Sequence, residues 1–310
     1  MESTTSTLTD MGLEKRIPEV NPGKYYDGLP FDDIQFLGFK LLLKPNHFIS
    51  RESMRDFAKL VKGPSAAFRI PFDMDRFVNA PVKIREVIFL DTRDFRLYNN
   101  AFILRRRFSY QDGFPIGQPE IVFKFRHSDI QKAAETDVRP IIRGDYDVKF
   151  KCQVLPLKNE LGGTRILYSH NVQFPRDHAE QKEVMDFDNL VKVFPCLDSL
   201  RKEPGEKIDL VNKVFIEEVL LDLGSFNFGG MLAKANVAIW RTRGDHRPLI
   251  GEFAYQIRFN NRKDVKPELA KKAEDFFIAL QYSAKHWLAL NSTKTGIVYN
   301  LLGNTIKSAE

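Results

Sequence analysis

The sequence contains few of the residues that build disulfide-linked or zinc-linked domains. Of its 310 residues, two are cysteine and six are histidine. Cys152 and Cys196 lie far apart and have no metal-ligand spacing, so we expect two free and partly buried thiols. This shortage argues against a disulfide scaffold and against a structural zinc site.

Long apolar runs are also missing. No stretch approaches the about 20 apolar residues that a membrane-crossing helix needs. Residues 1–10 are polar and rich in threonine, unlike a signal peptide. The simplest interpretation is a cytoplasmic protein with no transmembrane segment.

Common nucleotide and nucleophile motifs are not found. Gly162-Gly163 and Gly229-Gly230 are turn signals, and neither is followed by a lysine at phosphate-loop spacing. No serine or cysteine lies in a nucleophile-elbow sequence. The sequence therefore supports neither a P-loop enzyme nor an α/β-hydrolase.

The composition is otherwise that of an ordinary globular protein. Hydrophobic residues make up 43% and charged residues 28%, and the formal net charge is +6. A basic surplus of this size suits phosphate-rich ligands but is common in other proteins, so its placement is more informative than its sum. Phenylalanine is frequent, with 26 copies, as expected where large side chains lie between a curved sheet and covering helices.

Short alternating segments bounded by turn residues predict strands along most of the chain. The predicted strands cover residues 36–44, 83–91, 101–110, 120–127, 147–155, 165–174, 213–223, 236–243 and 249–259. The predicted helices cover residues 51–62, 187–200, 268–290 and 293–302. This order favours an α+β fold, an antiparallel β-barrel with a charged lumen and flanking helices.

The same pattern predicts the domain organisation. Residues 1–30 lack periodicity and are expected to form a flexible lead-in. Residues 31–304, including the C-terminal helices, are expected to form a single domain, and residues 305–310 a tail.

A basic strip on two neighbouring predicted strands is the densest charge pattern. Because side chains alternate along a strand, each strand presents its basic residues on one face and apolar residues on the other. The strip consists of Arg105, Arg107, Lys124 and Arg126, with Lys149 and Arg241 as weaker additions from other strands. Like charges across a sheet repel, so such a strip needs either open solvent or an anionic partner. Guanidinium groups suit phosphate because they donate to two oxygens at once.

The order of these segments resembles that of the CYTH superfamily of triphosphate tunnel enzymes, and is most similar to its VTC-like polyphosphate-polymerase branch. Residues 87–108 (VIFLDTRDFRLYNNAFILRRRF) resemble the family's strand ending in F-D-T, its acidic bend and its L-R-x-R strand. Residues 121–124 resemble its lysine-bearing strand, and residues 249–257 its late glutamate-bearing strand. Residues 292–294 are similar to its final basic position.

The resemblance implies a tunnel whose basic side chains hold a triphosphate and whose glutamates hold Mg²⁺ or Mn²⁺. The residues that it assigns to phosphate are Arg105, Arg107, Lys124, Lys44 and Lys294. For the metal it implies Glu252, and a weaker candidate is Glu217 or its neighbour Glu218, of which only one can face the lumen.

Two strands depart from the family pattern. Where the family has E-x-E-x-K, the first strand has Lys40, Leu42 and Lys44, so both glutamates are missing. The late strand has Glu252 but continues with Ala254 and Gln256. Because Mg²⁺ needs several oxygen ligands, these departures predict a weakened metal site.

Two functions therefore stay open. The first is binding of a triphosphate, polyphosphate or nucleotide-type polyanion, with or without metal-dependent phosphohydrolase or phosphotransferase activity. The second is a non-catalytic protein that uses the same basic face to bind nucleic acid or to recruit a protein partner.

Overall fold

A computed structural model describes residues 17–74, 80–176, 184–304 and 306. Its strands are β1 (Phe36–Leu43), β2 (Phe72–Asp73), β3 (Lys83–Asp91), β4 (Phe102–Gln111), β5 (Phe114–His127), β6 (Asp147–Pro156), β7 (Thr164–Pro175), β8 (Asp209–Leu210), β9 (Ile216–Asn227), β10 (Leu232–Thr242) and β11 (Pro248–Arg258). Its α-helices are α1 (Arg51–Ala67), α2 (Arg96–Asn99), α3 (Ile130–Glu135), α4 (Phe187–Val193), α5 (Pro267–Ser283) and α6 (Lys294–Tyr299).

The strands close into a barrel. Among the described residues, eleven strands are hydrogen bonded in the order β2-β9-β10-β11-β1-β6-β7-β5-β4-β3-β8. β9 also pairs with β3, which closes a ring of nine strands and leaves the short β2 and β8 outside it. The predicted α+β barrel with flanking helices is thereby confirmed.

One pairing corrects the expectation of a purely antiparallel barrel. β1 runs parallel to β6, with Phe36 opposite Lys151, whereas the other neighbours in the ring are antiparallel. A parallel pair needs a long crossover connection, and the segment from α1 to α3 supplies it here. Strand patterns alone do not reveal which distant strands become neighbours.

The main hydrophobic core lies between the outer face of the barrel and the helices. Phe123 of β5 stacks on Phe194 with 4.0 Å between the ring centroids. Phe39 of β1 stacks on Tyr255 at 4.7 Å and contacts Phe277 of α5 at 5.4 Å. The frequent phenylalanines thus fill the space between a curved sheet and its covering helices.

A second apolar cluster occupies one end of the barrel interior. Its members are Leu42, Val87, Phe89, Tyr98, Ile103, Val211, Ile216, Trp240, Ile250, Val298 and Tyr299. The strand residues among them share the inner face, because Ile103 lies opposite Lys124 and Leu42 opposite Glu252. Tyr98 of α2 stacks on Tyr299 of α6 with 4.1 Å between the ring centroids. Apolar side chains therefore close this end of the barrel.

Asp91 fastens the two helices of this closure to the end of β3. Its carboxylate accepts hydrogen bonds from the backbone N–H groups of Leu97 and Tyr98, at 2.9 and 3.0 Å. It also accepts one from the hydroxyl of Tyr299, at 3.0 Å. Burial raises the pKa of Asp91 to about 6.

Two helix ends differ from the sequence prediction. α1 continues through Pro64 to Ala67 instead of ending at residue 62, and Val61 and Ser65 are buried. Packing of α1 on the barrel and on α5 outweighs the local stop signal. α5 ends at Ser283 rather than at residue 290.

The described part of the predicted lead-in contacts the domain body. Tyr25 is buried, and its hydroxyl donates to the carbonyl oxygen of Ala134 at 3.0 Å. Residues 1–16 of the lead-in and most of the predicted tail lie outside the described residues. Among the described helices, none combines the length and the apolar character that crossing a bilayer requires.

Candidate functional site

The inner face of the barrel carries rows of basic and polar side chains. Residues that lie opposite each other on neighbouring strands share a face of the sheet. Across β5, β7 and β6, two such rows are Lys124–Asn171–Lys149 and Arg126–Ser169–Lys151. The opposite face of the same strands carries Phe123 and Phe150 of the main core. The basic face therefore points into the barrel.

Arg105 of β4 lies at the centre of this interior. Its charged neighbours come from several strands and include Arg107, Glu218 and Arg126. Burial, reinforced by the nearby cations, lowers the pKa of Arg105 to about 9. A guanidinium with this pKa stays protonated at neutral pH, so the lumen holds a buried positive charge.

Lys40, rather than Lys44, is the lysine that β1 contributes to the lumen. Burial lowers the pKa of Lys40 to about 8, although Glu252 nearby opposes that shift. Lys44 follows the end of β1 and is exposed, and its backbone N–H donates to the carbonyl oxygen of Trp287 at 2.6 Å. The prediction for Lys44 is therefore corrected. The two lysines share a phase, but the strand ends before it reaches Lys44.

Lys124 and Lys151 complete the central group of cations. Burial, together with Arg105 and Arg126, lowers the pKa of Lys124 well below its usual value. Burial lowers the pKa of Lys151 to about 7, and its Nζ donates to Oε1 of Gln256 at 3.1 Å. These ammonium groups lie close to other positive charges on the inner face of the barrel.

Three of the central cations form no direct ion pair within the described residues. Lys40, Arg105 and Lys124 are half-buried and form neither a hydrogen bond nor an ion pair with any of them, and Nε of Arg105 is buried without a hydrogen-bond partner. Cations held close together on one face of a sheet repel one another unless an anion compensates them. The arrangement therefore suits an anionic ligand.

Two of the predicted phosphate ligands are already ion-paired, toward the end of the barrel opposite the apolar cluster. Nε of Arg107 donates to Oε2 of Glu120 at 2.9 Å. Lys149 pairs with Asp147, whose side chain is half exposed. Both basic residues share the inner face with Lys124, but their charge is largely neutralised within the protein.

On another side of the lumen, two carboxylates share one ammonium group. Lys294, the first residue of α6, places Nζ 2.8 Å from Oε1 of Glu252 and 3.4 Å from Oε1 of Glu218. The same Nζ lies 4.6 Å from the ring centroid of Trp240, whose indole N–H donates to Glu218 at 2.9 Å. Although burial alone would raise it, Lys294 and Arg85 lower the pKa of Glu218 to about 2. The pKa of Glu252 is lowered too, against the effect of burial, by Lys294 and Lys40.

Glu217 and Arg241 do not belong to this group. They lie opposite each other in register, and Nε of Arg241 donates to Oε1 of Glu217 at 2.6 Å. Their neighbours Glu218 and Trp240 take the inner face, so Glu217 and Arg241 lie on the outer face. The predicted metal role of Glu217 and phosphate role of Arg241 are therefore corrected. Alternation separates the two faces of a strand but does not say which face turns inward.

The structure places seven of the predicted site residues in the lumen. They are Arg105, Arg107, Lys124, Arg126, Lys149, Lys294 and Glu252. Glu218, rather than its neighbour Glu217, also lies there, together with Lys40, Arg85 and Lys151, which were not predicted as ligands. Lys151 lies on the same face of its strand as Lys149, and Lys40 has the same alternation as Lys44. Strand alternation was therefore the sequence signal that could have identified Lys151 and Lys40 as inner residues.

The carboxylates of the lumen do not fit a divalent cation by themselves. Within the described residues there is no group of three or more His, Cys, Asp or Glu side chains able to hold a metal ion. Mg²⁺ and similar ions need near-octahedral oxygen ligands. Glu218 and Glu252 are the two carboxylates beside the central cations, and both contact the ammonium of Lys294. With Lys294 in this position, the donor set does not match the Mg²⁺ or Mn²⁺ site that the resemblance implied.

No protein-family model and no curated protein matches this sequence. Among solved structures, a Hippeastrum protein with a dominant triphosphatase activity has 12% identity and a TM-score of 0.40, over 89% of this chain and 100% of its own. A Pyrococcus horikoshii protein has 13% identity and a TM-score of 0.36, over 86% and 99%. The RNA triphosphatase of S. pombe has 12% identity and a TM-score of 0.25, over 84% and 77%.

At these identities the likeness concerns the fold alone. The closed barrel with a charged lumen that the sequence predicted is confirmed by the ring of strands itself. The VTC-like branch is not distinguished from others and stays a prediction.

Proposed function

We propose that this protein binds a linear oligophosphate, such as tripolyphosphate, a polyphosphate end or a nucleoside triphosphate, inside the barrel. The observation that carries the proposal is a group of half-buried cations on the inner face, Lys40, Arg105 and Lys124, that form no ion pair with a described residue. Phosphate oxygens would supply the missing counter-charge. The guanidinium would donate to two oxygens at once, and the lysines would act as point charges.

The amount of unneutralised charge favours an oligophosphate over a single phosphate. Lys151 adds a fourth cation that forms no ion pair with a described residue, since its Nζ donates to the neutral amide of Gln256. One phosphate group carries about −1.5 to −2 charges at neutral pH. Several linked phosphates are needed to match the surplus.

The shape of the interior supports a chain-like ligand. The apolar cluster around Tyr98 and Tyr299 fills one end, so a ligand would enter from the other end, past Arg107 and Lys149. A nucleic-acid or protein partner that used the same cations would need them on the outer face. Their inward direction supports a ligand thin enough to enter the barrel.

The arrangement also bears on catalysis. Fixed cations around a phosphoryl group stabilise the charge that develops during transfer. The lumen carboxylates Glu218 and Glu252 are both bound to Lys294, so neither is free to activate a nucleophile. We therefore propose polyanion binding as the function, and any phosphohydrolase or phosphotransferase activity would rely on charge stabilisation.

Calorimetric titration with tripolyphosphate, ATP and inorganic phosphate tests the proposal. We expect Arg105→Ala and Lys124→Met to weaken tripolyphosphate binding by at least about tenfold. Lys44→Met is the matched control and should bind as wild type does, because Lys44 is exposed outside the lumen. Absence of binding by wild type to all three anions would reject the proposal. Phosphate release that survives Arg105→Ala would place an activity elsewhere.

A further inference from the structure

The Glu218–Lys294–Glu252 group is a closed set of charges within the lumen. One ammonium contacts both carboxylates, at 3.4 and 2.8 Å. Nη1 of Arg85 lies 3.5 Å from Oε2 of Glu218, whose Oε1 accepts the indole hydrogen bond of Trp240. The two negative charges are therefore matched by cations of the protein itself.

The position of Lys294 is fixed by the packed end of the barrel. Thr293 caps α6, and its side chain accepts a hydrogen bond from the backbone N–H of Gly296 at 2.9 Å. Five residues after Lys294, Tyr299 stacks on Tyr98 and donates to Asp91. Because these contacts anchor α6, the backbone of Lys294 is held in place independently of the ion pairs that its side chain forms.

We propose that the Lys294 ammonium takes the place of a divalent cation between Glu218 and Glu252, and that the tunnel binds its polyanion without metal. A divalent ion between these carboxylates would have to displace an ammonium that is ion-paired with Glu252 and hydrogen bonded to Glu218. No third Asp, Glu, His or Cys side chain of the described chain joins them to complete a metal site. The part of this inference that concerns the polyanion rests on the proposed function, and the part that concerns metal exclusion does not.

Titration of the protein with Mn²⁺ alone, followed by electron paramagnetic resonance of the free ion, tests metal exclusion without any phosphate. We expect wild type to bind no stoichiometric Mn²⁺ up to about 1 mM. Lys294→Met keeps a side chain of similar length but removes the ammonium, so it should bind one Mn²⁺ at least about tenfold more tightly than wild type. The same ion should raise the Tm of Lys294→Met and leave that of wild type unchanged. Lys44→Met is the matched control and should behave as wild type.

Two results would overturn the metal part. One is a stoichiometric Mn²⁺ bound by wild type and lost in Glu252→Gln, since the carboxylates would then hold metal despite Lys294. The other is a folded Lys294→Met that gains no Mn²⁺, since Lys294 would then not be what excludes the ion. If circular dichroism shows that Lys294→Met does not fold, the wild-type titration decides alone.

The ligand part is tested by tripolyphosphate titration of wild type in EDTA and in Mn²⁺, at matched concentrations of metal-free anion. Affinities within about twofold of each other would support metal-independent binding, and a loss of more than about tenfold in EDTA would overturn it. Absence of tripolyphosphate binding in both media would reject the proposed function, while the Mn²⁺ titration would still decide the role of Lys294.

Discussion

The two faces of the barrel wall handle charge in opposite ways, although they belong to the same strands. On the outer face, Arg241 pairs with Glu217 and Arg243 pairs with Glu86, so each of these cations has its own carboxylate. On the inner face, Arg105 and Lys124 form no ion pair with a described residue. An ion pair compensates its own charges, whereas neighbouring cations without a direct partner repel one another unless a ligand compensates them. The difference separates charges that serve the fold from charges available to a ligand.

Charge reversal should expose this difference most strongly. Arg105→Glu places a carboxylate among the phosphate-binding cations, so we expect tripolyphosphate affinity to fall by about 100-fold or more. Arg241→Glu makes the same change on the outer face and should alter affinity by less than about twofold. Calorimetric titration of both variants measures the contrast. Equal losses in the two variants would mean that the faces do not differ in function.

Removal of an inner charge should stabilise the ligand-free protein. Lys124→Met deletes an ammonium of the lumen that repels Arg105 and Arg126. We expect the free energy of unfolding to rise by about 1 kcal/mol or more while anion binding weakens by at least about tenfold. Urea denaturation without ligand measures the gain, and Lys44→Met supplies the comparison for an exposed lysine. A destabilised Lys124→Met would show that the inner cations are compensated within the protein.

Anion binding should weaken as the pH rises above neutrality. The pKa is about 7 for Lys151 and about 8 for Lys40 in the ligand-free lumen, and a bound anion must raise both. The complex therefore holds more protons than the free protein above pH 7, and affinity should fall by about tenfold between pH 7 and 9. Titrations in buffers of different ionisation enthalpy should also reveal proton uptake. A flat profile over this range would contradict the lowered lysine pKa values.

The same lysines predict how ligand-free stability depends on pH. Their pKa values are lower in the folded state than in the unfolded chain, where a lysine has a pKa of about 10.4. Between about pH 7 and 10 the unfolded chain thus binds more protons, so stability should increase as the pH rises through this window. Thermal denaturation at several pH values measures the trend, and saturating tripolyphosphate should reverse it. A decrease in stability over this range without ligand would count against buried, charged lysines.

The smallest effect on ligand binding is expected on the outer face. Arg241→Met leaves Glu217, whose side chain is only 10% exposed, without its partner, so we expect a loss of about 1 kcal/mol or more in the free energy of unfolding. Tripolyphosphate affinity should stay unchanged. Urea denaturation and calorimetry of one preparation give both values. A loss of affinity in this variant would show that the outer ion pairs contribute to the binding site.

Much of this architecture was determined by local sequence. Alternation along β4 and β5 placed the basic residues on one face of the strands and apolar residues on the other; the basic residues are Arg105, Arg107, Lys124 and Arg126. The order of strands and helices predicted an α+β barrel. The position of Lys294 before an apolar final helix was also readable from the sequence. These features depend on residues that are close in sequence and on the alternation of side chains along a strand, and both can be read directly from the sequence.

Only the tertiary structure decided which charges meet. Glu217 and Glu218 are adjacent, and ring closure alone turned Glu218 inward to Lys294 and left Glu217 outside with Arg241. The end of β1 placed Lys40 in the lumen and Lys44 beyond it, and the parallel pairing of β1 with β6 brought Lys40 near Lys151. These outcomes depend on pairing between strands that are distant in sequence. Alternation along a strand indicates neither which face turns inward nor which strand becomes the neighbour.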